Sequence, residues 1–189
     1  MARWQPHAPE RLLVAALELF EERGYENTTV VEITERAGLT KSTFFRHFPD
    51  KREVLFGGGA MTGLLREGIE AAPAGAGPLE TVAHALDAIG REAFTSERRE
   101  FSARRSAVIA TNPELREREA LKELGLIAAM TDALKHRGVP DLTARVTAEL
   151  GALAWKIAYE RWRDTSDRAD FAELARRALA EVRAASASC

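Results

Sequence analysis

Residues 28–51 constrain the fold of this chain more than any other stretch, because two short helix patterns meet there at a tight turn. Thr29 and Glu32 stand three residues apart in the capping-box pattern, which predicts the start of a helix. Gly38 is placed to end that helix, since glycine readily adopts the left-handed conformation found at many helix ends. Thr40 can then cap a second helix. The stretch therefore predicts a helix, a turn and another helix.

The second of these helices should bury one face and expose the other. Phe44 and Phe48 lie four residues apart, so both point to the same side of a helix and we expect them to face inward. The side chains left outside are Lys41, Ser42, Thr43 and Arg46. A short exposed helix of this kind suits the major groove of DNA.

Charge favours DNA binding locally, although the whole chain has a formal net charge of −2. Between residues 36 and 52 a single anion, Asp50, accompanies the cations Arg36, Lys41, Arg46, Lys51 and Arg52. A local basic face can bind phosphate even when the protein is acidic. Taken alone, the pattern also fits a surface-charged three-helix bundle that happens to contain a tight turn.

Further positions resemble the TetR family of bacterial transcriptional regulators. The similar residues are Gly24-Tyr25, Thr28-Thr29-Val30, Ile33, Ala37-Gly38-Leu39, the run from Thr43 to Phe48, and Lys51. The resemblance covers roughly the first 50 residues as one three-helix unit. It implies a homodimer whose N-terminal domains read a palindromic operator. It also implies a more variable C-terminal helical domain, in which a small molecule binds and releases the DNA.

Three positions depart from the family pattern. Ser42 stands where a glycine is common, Thr34 where an alanine is common, and Phe45 where a tyrosine is common. The family's tyrosine hydroxyl contacts a phosphate, and Phe45 has no hydroxyl to do so. Phe45 is instead suited to packing against a sugar or a thymine methyl group.

The DNA contacts follow from the helix pattern and the resemblance together. We expect base contacts from the exposed helix face, with Arg46 or Lys41 as the candidate for guanine. We expect phosphate contacts from Thr29, His47 and Lys51. The predicted DNA-binding residues are Thr29, Lys41, Ser42, Thr43, Phe45, Arg46, His47 and Lys51.

The whole chain is expected to be all-α, with two domains. Residues 1–50 would form the three-helix DNA-binding domain with its helix-turn-helix, and residues 51–189 a helical domain for effector binding and dimerisation. The first helix should run from about Pro9 to Arg23. A connecting helix should follow Asp50 and Glu53, which form a second capping pair. Further helices are predicted at 79–94, 96–110, 113–137, 142–162 and 171–182, with a Pro- and Gly-rich loop at 71–78.

Two segments of the second domain carry chemistry that is open to more than one interpretation. Between residues 96 and 110, four arginines alternate with glutamates. We interpret them as a solvated face with ion pairs such as Glu100 with Arg104. The alternative is a binding site for an anionic ligand. His84, with Glu80 and Asp87 nearby, is better interpreted as part of an exposed polar face than as a metal site.

The last two helices are predicted to form the dimer interface. The first carries apolar residues on two sides, with Val146, Leu150, Leu153 and Ile157 on one and Trp155, Tyr159 and Trp162 nearly opposite. A helix buried on two sides needs two partners, and a four-helix interface across a twofold axis would supply them. The aromatic side suits either a core or a ligand pocket. For the effector pocket we select apolar positions of the second domain, namely Phe94, Phe101, Met130, Trp155 and Tyr159. They favour a largely hydrophobic effector but no particular compound class.

Other function classes find less support in the sequence. No apolar stretch is long enough for a membrane span, and the N-terminus lacks the apolar core of a signal peptide, so a cytoplasmic protein is expected. The four histidines are scattered without a catalytic or metal-binding spacing, so we expect no catalytic residue, metal or cofactor. The alternatives are an all-helical enzyme and a module that binds only protein.

Overall fold

A computed structural model describes residues 8–164 and 169–187 of the 189-residue chain. Within those ranges every regular element is helical, which confirms the all-α prediction. The α-helices are α1 (Ala8–Arg23), α2 (Val30–Arg36), α3 (Lys41–His47), α4 (Ala60–Glu70), α5 (Pro78–Ala93), α6 (Ser96–Thr111), α7 (Pro113–His136), α8 (Asp141–Arg163) and α9 (Phe171–Ser186). No helix in this part of the chain is both long and apolar enough to cross a membrane. The N-terminal arm with Arg3 and Trp4, which could be considered for a minor-groove contact, and the single cysteine, Cys189, lie outside the described ranges.

The chain divides into two compact units. The first comprises Met1–Gly59 and Arg104–Ala120, and the second comprises Ala60–Ala103 and Leu121–Cys189. The end of α6 and the start of α7 therefore belong to the same unit as α1, α2 and α3. The functional division at residue 50 remains a prediction.

The first unit is built around the buried faces of its three N-terminal helices. Leu12, Phe20, Ile33 and Phe44 are each at most 3% exposed, so α1, α2 and α3 all contribute to one core. Burying an apolar side chain of this size stabilises a fold by about 1.5–3 kcal/mol. Gly24, with φ of 83°, ends α1 where the sequence predicts.

The connecting segment differs from the predicted α-helix. Residues Arg52–Gly59 form a 3-10 helix, and α4 begins only at Ala60. Gly57 and Gly59 have φ of 66° and 91°, values outside the α-helical region, so the predicted connecting helix is not one continuous α-helix after Glu53. Asp50 still caps the segment, because its carboxylate accepts the Glu53 amide at 3.0 Å.

The second unit packs α4, α5, α8 and α9 closely. At Gly68 an added Cβ would lie 2.8 Å from Ala85 Cα, and at Gly90 it would lie 2.9 Å from the Ala172 amide nitrogen. These two glycines therefore let α4 and α9 approach α5 more closely than any side chain would permit. The loop between α4 and α5 falls where the Pro- and Gly-rich composition predicts it, and Arg137 donates to the Glu70 and Pro73 carbonyls at 3.1 and 2.8 Å.

Candidate nucleic-acid interface and effector region

The start of α2 is fixed by a complete capping box. The Thr29 hydroxyl accepts the Glu32 amide at 3.3 Å, while the Glu32 carboxylate accepts the Thr29 amide and hydroxyl, both at 2.8 Å. The hydrogen bond from the Thr29 amide, followed by that from its hydroxyl, holds the pKa of Glu32 below its usual range. Because the Thr29 hydroxyl is used in this cap, a phosphate contact by Thr29 would have to involve the same group.

The turn between α2 and α3 depends on Gly38 and Thr40. Gly38 has φ of 62°, in the left-handed region that favours glycine, and it lies against the Arg11 guanidinium. Arg11 in turn donates a hydrogen bond to the Ala37 carbonyl, which accounts for one free carbonyl at the end of α2. Thr40 accepts the Thr43 amide at 3.1 Å and caps α3, as predicted.

Helix α3 is anchored on one face and bare on the other. Phe44 and Phe48 are 0% and 3% exposed, and their ring centroids lie 5.5 Å apart. On the opposite face Lys41, Ser42 and Arg46 are exposed, and Phe45 is 47% exposed. The structure therefore brings these four predicted DNA-contacting residues together on one accessible surface, which we call the α3 face.

Besides Thr29 in the cap of α2, three further predicted contacts lie off the α3 face. Thr43 is half-buried, and its hydroxyl lies 3.0 Å from that of Thr40, within the helix cap. His47 is half-buried, with its ring against Phe48. Lys51 has its ammonium 2.8 Å from the Tyr25 carbonyl, 3.0 Å from the Thr28 carbonyl and 4.0 Å from the centre of the Tyr25 ring. Lys51 thus has a structural role within the unit that its position in the sequence does not reveal.

Three of the five cations between residues 36 and 52 are engaged by the protein itself. Arg36 pairs with Glu22 at 2.8 Å and with Glu18 at 3.4 Å, and Arg52 pairs with Asp50 at 2.9 Å. The hydrogen bond from Arg36 lowers the pKa of Glu22 below its usual range. Lys51 is the third, held by carbonyls.

Lys41 and Arg46 remain available. In the part of the chain that the structure describes, Arg46 makes no hydrogen bond or ion pair, and the Lys41 ammonium contacts only the Phe45 ring, 5.9 Å from its centre. The number of cations in this segment therefore overstates its accessible positive charge. The accessible charge belongs to Lys41 and Arg46, both on the α3 face.

A second set of contacts, absent from the sequence prediction, joins residues 104–120 to the rest of the first unit. Arg118 donates to the buried Glu53 carboxylate at 2.8 Å, and Tyr25 donates to Glu114 at 3.1 Å. Burial, followed by the bond to Glu114, raises the pKa of the Tyr25 phenol. Arg104 pairs with Glu21 of α1, so the predicted pairing of Arg104 with Glu100 is not what the structure shows.

In the second unit, three of the five predicted effector-pocket residues meet in an aromatic cluster, formed by Phe94, Trp155, Tyr159, Trp162 and Phe171. The Phe94 ring stacks on Phe171 with centroids 4.1 Å apart, and it meets Trp155 and Tyr159 edge-on at 5.2 and 5.8 Å. Met130 is 2% exposed in the apolar core of the same unit. Phe101 is half-buried and lies outside that core.

A cavity of about 280 Å³ opens beside the aromatic cluster. Of the predicted pocket residues only Phe94 lines it, together with Gly90, Arg91, Thr95, Ser96, Arg99, Trp162, Asp170 and Ala172. Its wall is partly charged, because Arg91, Arg99 and Asp170 contribute to it. Arg99 donates to the Ala169 carbonyl at 2.7 Å and lies 5.5 Å from the Trp162 ring centre. The sequence predicts a mostly hydrophobic effector pocket, whereas the lining of this cavity is mixed.

One apolar side of α8 is uncovered. Leu142, Val146 and Leu153 are 73%, 49% and 47% exposed, and they recur at helical spacing along one side. Leu150 and Ile157, on the same side, are partly buried against the core. The opposite side, with Trp155 and Trp162, packs inward, so the two predicted apolar sides of this helix are both present.

His84 joins no cluster of ligands. Its Nδ1 lies 3.2 Å from the Gly68 carbonyl, at the contact between α4 and α5. Across residues 8–164 and 169–187, no three His, Cys, Asp or Glu side chains are grouped as a metal ion would require.

Comparison with known proteins connects this geometry to a family. Residues 12–56, which include α2, the turn and α3, match the model for bacterial regulatory proteins of the tetR family. The HTH-type transcriptional regulator TcmR of Streptomyces glaucescens is 41% identical over 81 residues, which are 42% of this chain and 36% of that protein. The chain spans between 20% and 36% of the length of the curated relatives it matches.

Solved structures resemble nearly the whole chain. FadR of Thermus thermophilus, a repressor solved in complex with lauroyl-CoA, is 25% identical with a TM-score of 0.50, covering 92% of both chains. NalD of Pseudomonas aeruginosa, the secondary repressor of a multidrug efflux pump, is 20% identical with a TM-score of 0.57, covering 93% of this chain and 94% of that chain. The second likeness shows the fold alone.

Proposed function

The chain belongs to the tetR family of bacterial regulatory proteins, and we propose that it is a repressor that binds a palindromic operator as a homodimer and is released by a small effector. The α3 face is the observation that carries this proposal. Its two available cations, Lys41 and Arg46, stand on a short, exposed helix whose other face is anchored by Phe44 and Phe48. A helix held in this way can enter the major groove without distorting its own unit.

The contacts to DNA divide between bases and phosphates. Lys41, Ser42 and Arg46 face the bases, and Arg46 is the better candidate for guanine, because a guanidinium donates two parallel hydrogen bonds to O6 and N7. Thr29, Thr43 and His47 serve the backbone. Lys51 keeps its charge near the same region while its ammonium is bound to two carbonyls, so its contribution to phosphate binding is indirect.

Dimerisation through α8 and α9 supplies the twofold symmetry that a palindromic operator needs. The exposed leucine and valine side chains on α8 support this assignment, since a row of uncovered apolar residues on one helix is expected at an interface. Arg161 of α8 and Glu181 of α9 form an exposed ion pair at 2.7 Å, while the two helices are packed together by their buried apolar residues.

The effector site is assigned to the second unit, next to the aromatic cluster. The cavity there, about 280 Å³, lies just below the usual range for ligand pockets, so binding of a larger molecule requires side chains to move. The relative FadR was solved with lauroyl-CoA, which makes fatty acyl-CoA molecules of graded chain length the first series to test as effectors. Release of bound operator by one member of that series, and not by free coenzyme A, would identify the effector.

Selection from random duplex DNA tests the DNA-binding function. The purified protein is expected to enrich an inverted repeat, with an affinity that falls steeply as salt rises, because phosphate contacts release counterions. A folded dimer that enriches no sequence and binds no duplex at low salt would instead favour a module that binds only protein.

The dimer interface has its own matched pair of variants. Leu153→Glu on α8 is expected to produce monomers in sedimentation experiments and to abolish operator binding, because a charge would be buried at the interface. Leu124→Glu on α7 changes a leucine that is 62% exposed and lies outside the proposed interface, so it is expected to leave the dimer intact. Equal behaviour of the two variants would contradict the assignment to α8.

A further inference from the structure

Phe45 is exposed and does not belong to the core of the first unit. Phe44 and Phe48 pack α3 against the core and are 0% and 3% exposed, whereas Phe45 is 47% exposed. Lys41 and Ser42 precede it by four and three residues and Arg46 follows it, all of them exposed. Phe45 therefore stands as a large apolar side chain in the middle of the polar α3 face.

The ring of Phe45 is held in place within that face. It meets the Phe44 ring edge-on, with centroids 5.4 Å apart and planes at 77°. The Lys41 ammonium lies 5.9 Å from the centre of the Phe45 ring, within the range of a cation–π contact. A side chain oriented before binding loses little conformational freedom when it meets a partner, so Phe45 is suited to recognition.

Phe45 has no donor or acceptor in its side chain, so its contact with DNA must be apolar. In the major groove, the apolar group that distinguishes one base pair from the others is the C5-methyl group of thymine. Building on the proposed DNA-binding function, we propose that Phe45 is a specificity-determining residue that packs on a thymine methyl group in each half-site. Lys41, on the adjacent turn of α3, is then placed to contact a neighbouring base or phosphate.

Substitution of thymine by deoxyuridine in the selected operator tests this inference, because it removes only the methyl group. Each thymine of one half-site is replaced in turn, and binding of the full-length dimer is measured. For the unaltered protein, one position is expected to show an affinity loss of about fourfold, the value of one buried methyl group. Replacement in both half-sites is expected to give about the square of that loss.

Two variants separate the methyl contact from other roles of the ring. Phe45→Ala is expected to bind the thymine and deoxyuridine operators equally at that position, and its thermal unfolding should match that of the unaltered protein. Phe45→Tyr keeps the ring and is expected to keep the preference for thymine.

Three results would overturn the inference. One is an operator whose half-sites contain no thymine, and another is operator binding indifferent to deoxyuridine at every position. The third is a methyl dependence that persists in Phe45→Ala. Each of these leaves specific operator binding intact, whereas a protein that binds no duplex would overturn the proposed DNA-binding function itself.

Discussion

Two groups of aromatic residues in this protein differ in how far they are buried. On α3, Phe44 and Phe48 turn inward, and Phe45 is left 47% exposed among polar residues. In the second unit, Phe94, Trp162 and Phe171 are all at most 9% exposed and pack against one another. An aromatic side chain is thus left at the surface in the first region, whereas the three named in the second region are all buried.

The difference lies in what each helix must pack against. Helix α3 has only seven residues and rests on α1 and α2, so one side of it is enough for packing. Helix α8 has 23 residues and contacts α5 and α9, so its aromatic side is covered. An aromatic residue on a helix is therefore a candidate for binding a partner molecule when its side of the helix is not covered by another helix of the same protein.

The largest expected effect is on the buried aromatic group. Trp162→Ala should lower the free energy of unfolding by about 3–5 kcal/mol, since it removes a side chain that is 1% exposed and leaves a cavity beside the stacked rings of Phe94 and Phe171. Phe45→Ala should change it by no more than about 0.5 kcal/mol. Urea unfolding of both variants provides the measurement, and similar losses for the two would remove the distinction between the regions.

An intermediate effect is expected from the two lysines of the first unit. Lys51→Met should lower the free energy of unfolding by about 1–3 kcal/mol, because two carbonyls lose their charged donor. Lys41→Met should leave stability unchanged but weaken operator binding, because the α3 face loses one of its two available cations. A stable Lys51→Met protein with a reduced salt slope would show that Lys51 acts mainly on DNA.

The smallest expected effect is on the stability of the fold at acidic pH. The pKa of Glu32 is lowered in the folded state, so this carboxylate stabilises the fold above its unfolded pKa, near 4.5, and the contribution is lost as pH falls below that value. Glu32→Gln keeps the capping pattern and should therefore show a smaller drop in Tm between pH 5 and pH 3 than the unaltered protein. Glu26→Gln, at an exposed position without a hydrogen bond among the described residues, is the control. Identical curves for all three proteins would contradict a role for Glu32 in acid stability.

The helix-turn-helix could be predicted almost completely from the sequence, because its determinants are local. The caps of α2 and α3 each involve a threonine and a group three residues later, and Gly38 is identified by its own conformational freedom. Phe44 and Phe48 follow from simple spacing. These interactions depend on residues close in the chain, so a sequence pattern is enough to find them.

The remaining features depend on partners far apart in the chain. Arg104 pairs with Glu21, 83 residues away, and not with Glu100 at helical spacing. Spacing predicts that Glu53 completes a helix cap with Asp50, but its carboxylate binds Arg118, 65 residues away. Nothing in the local sequence indicates such pairs. Tyr25 and Lys51 are likewise 26 residues apart in the sequence, and the Lys51 ammonium lies 4.0 Å from the centre of the Tyr25 ring.

The effector region is the hardest part to predict. Selecting apolar residues at helical spacing finds Phe94, Trp155 and Tyr159. The Phe94 ring packs against the other two, and the cavity lies beside their cluster. Whether apolar side chains line a pocket or close it depends on the distance between helices. That distance is set by small residues such as Gly90, whose role becomes visible only in three dimensions.

The most direct test of the α3 face is a comparison of operator selection by the unaltered protein and by Arg46→Ala. We predict that Arg46→Ala loses the preference for one base in each half-site, with a loss of about 1–3 kcal/mol per base contact on the best operator. Arg52→Ala, which alters a guanidinium paired with Asp50, should select the same sequence as the unaltered protein. If Arg46→Ala keeps the same preferences and binds every duplex more weakly by an equal factor, the assignment of base recognition to this face is wrong.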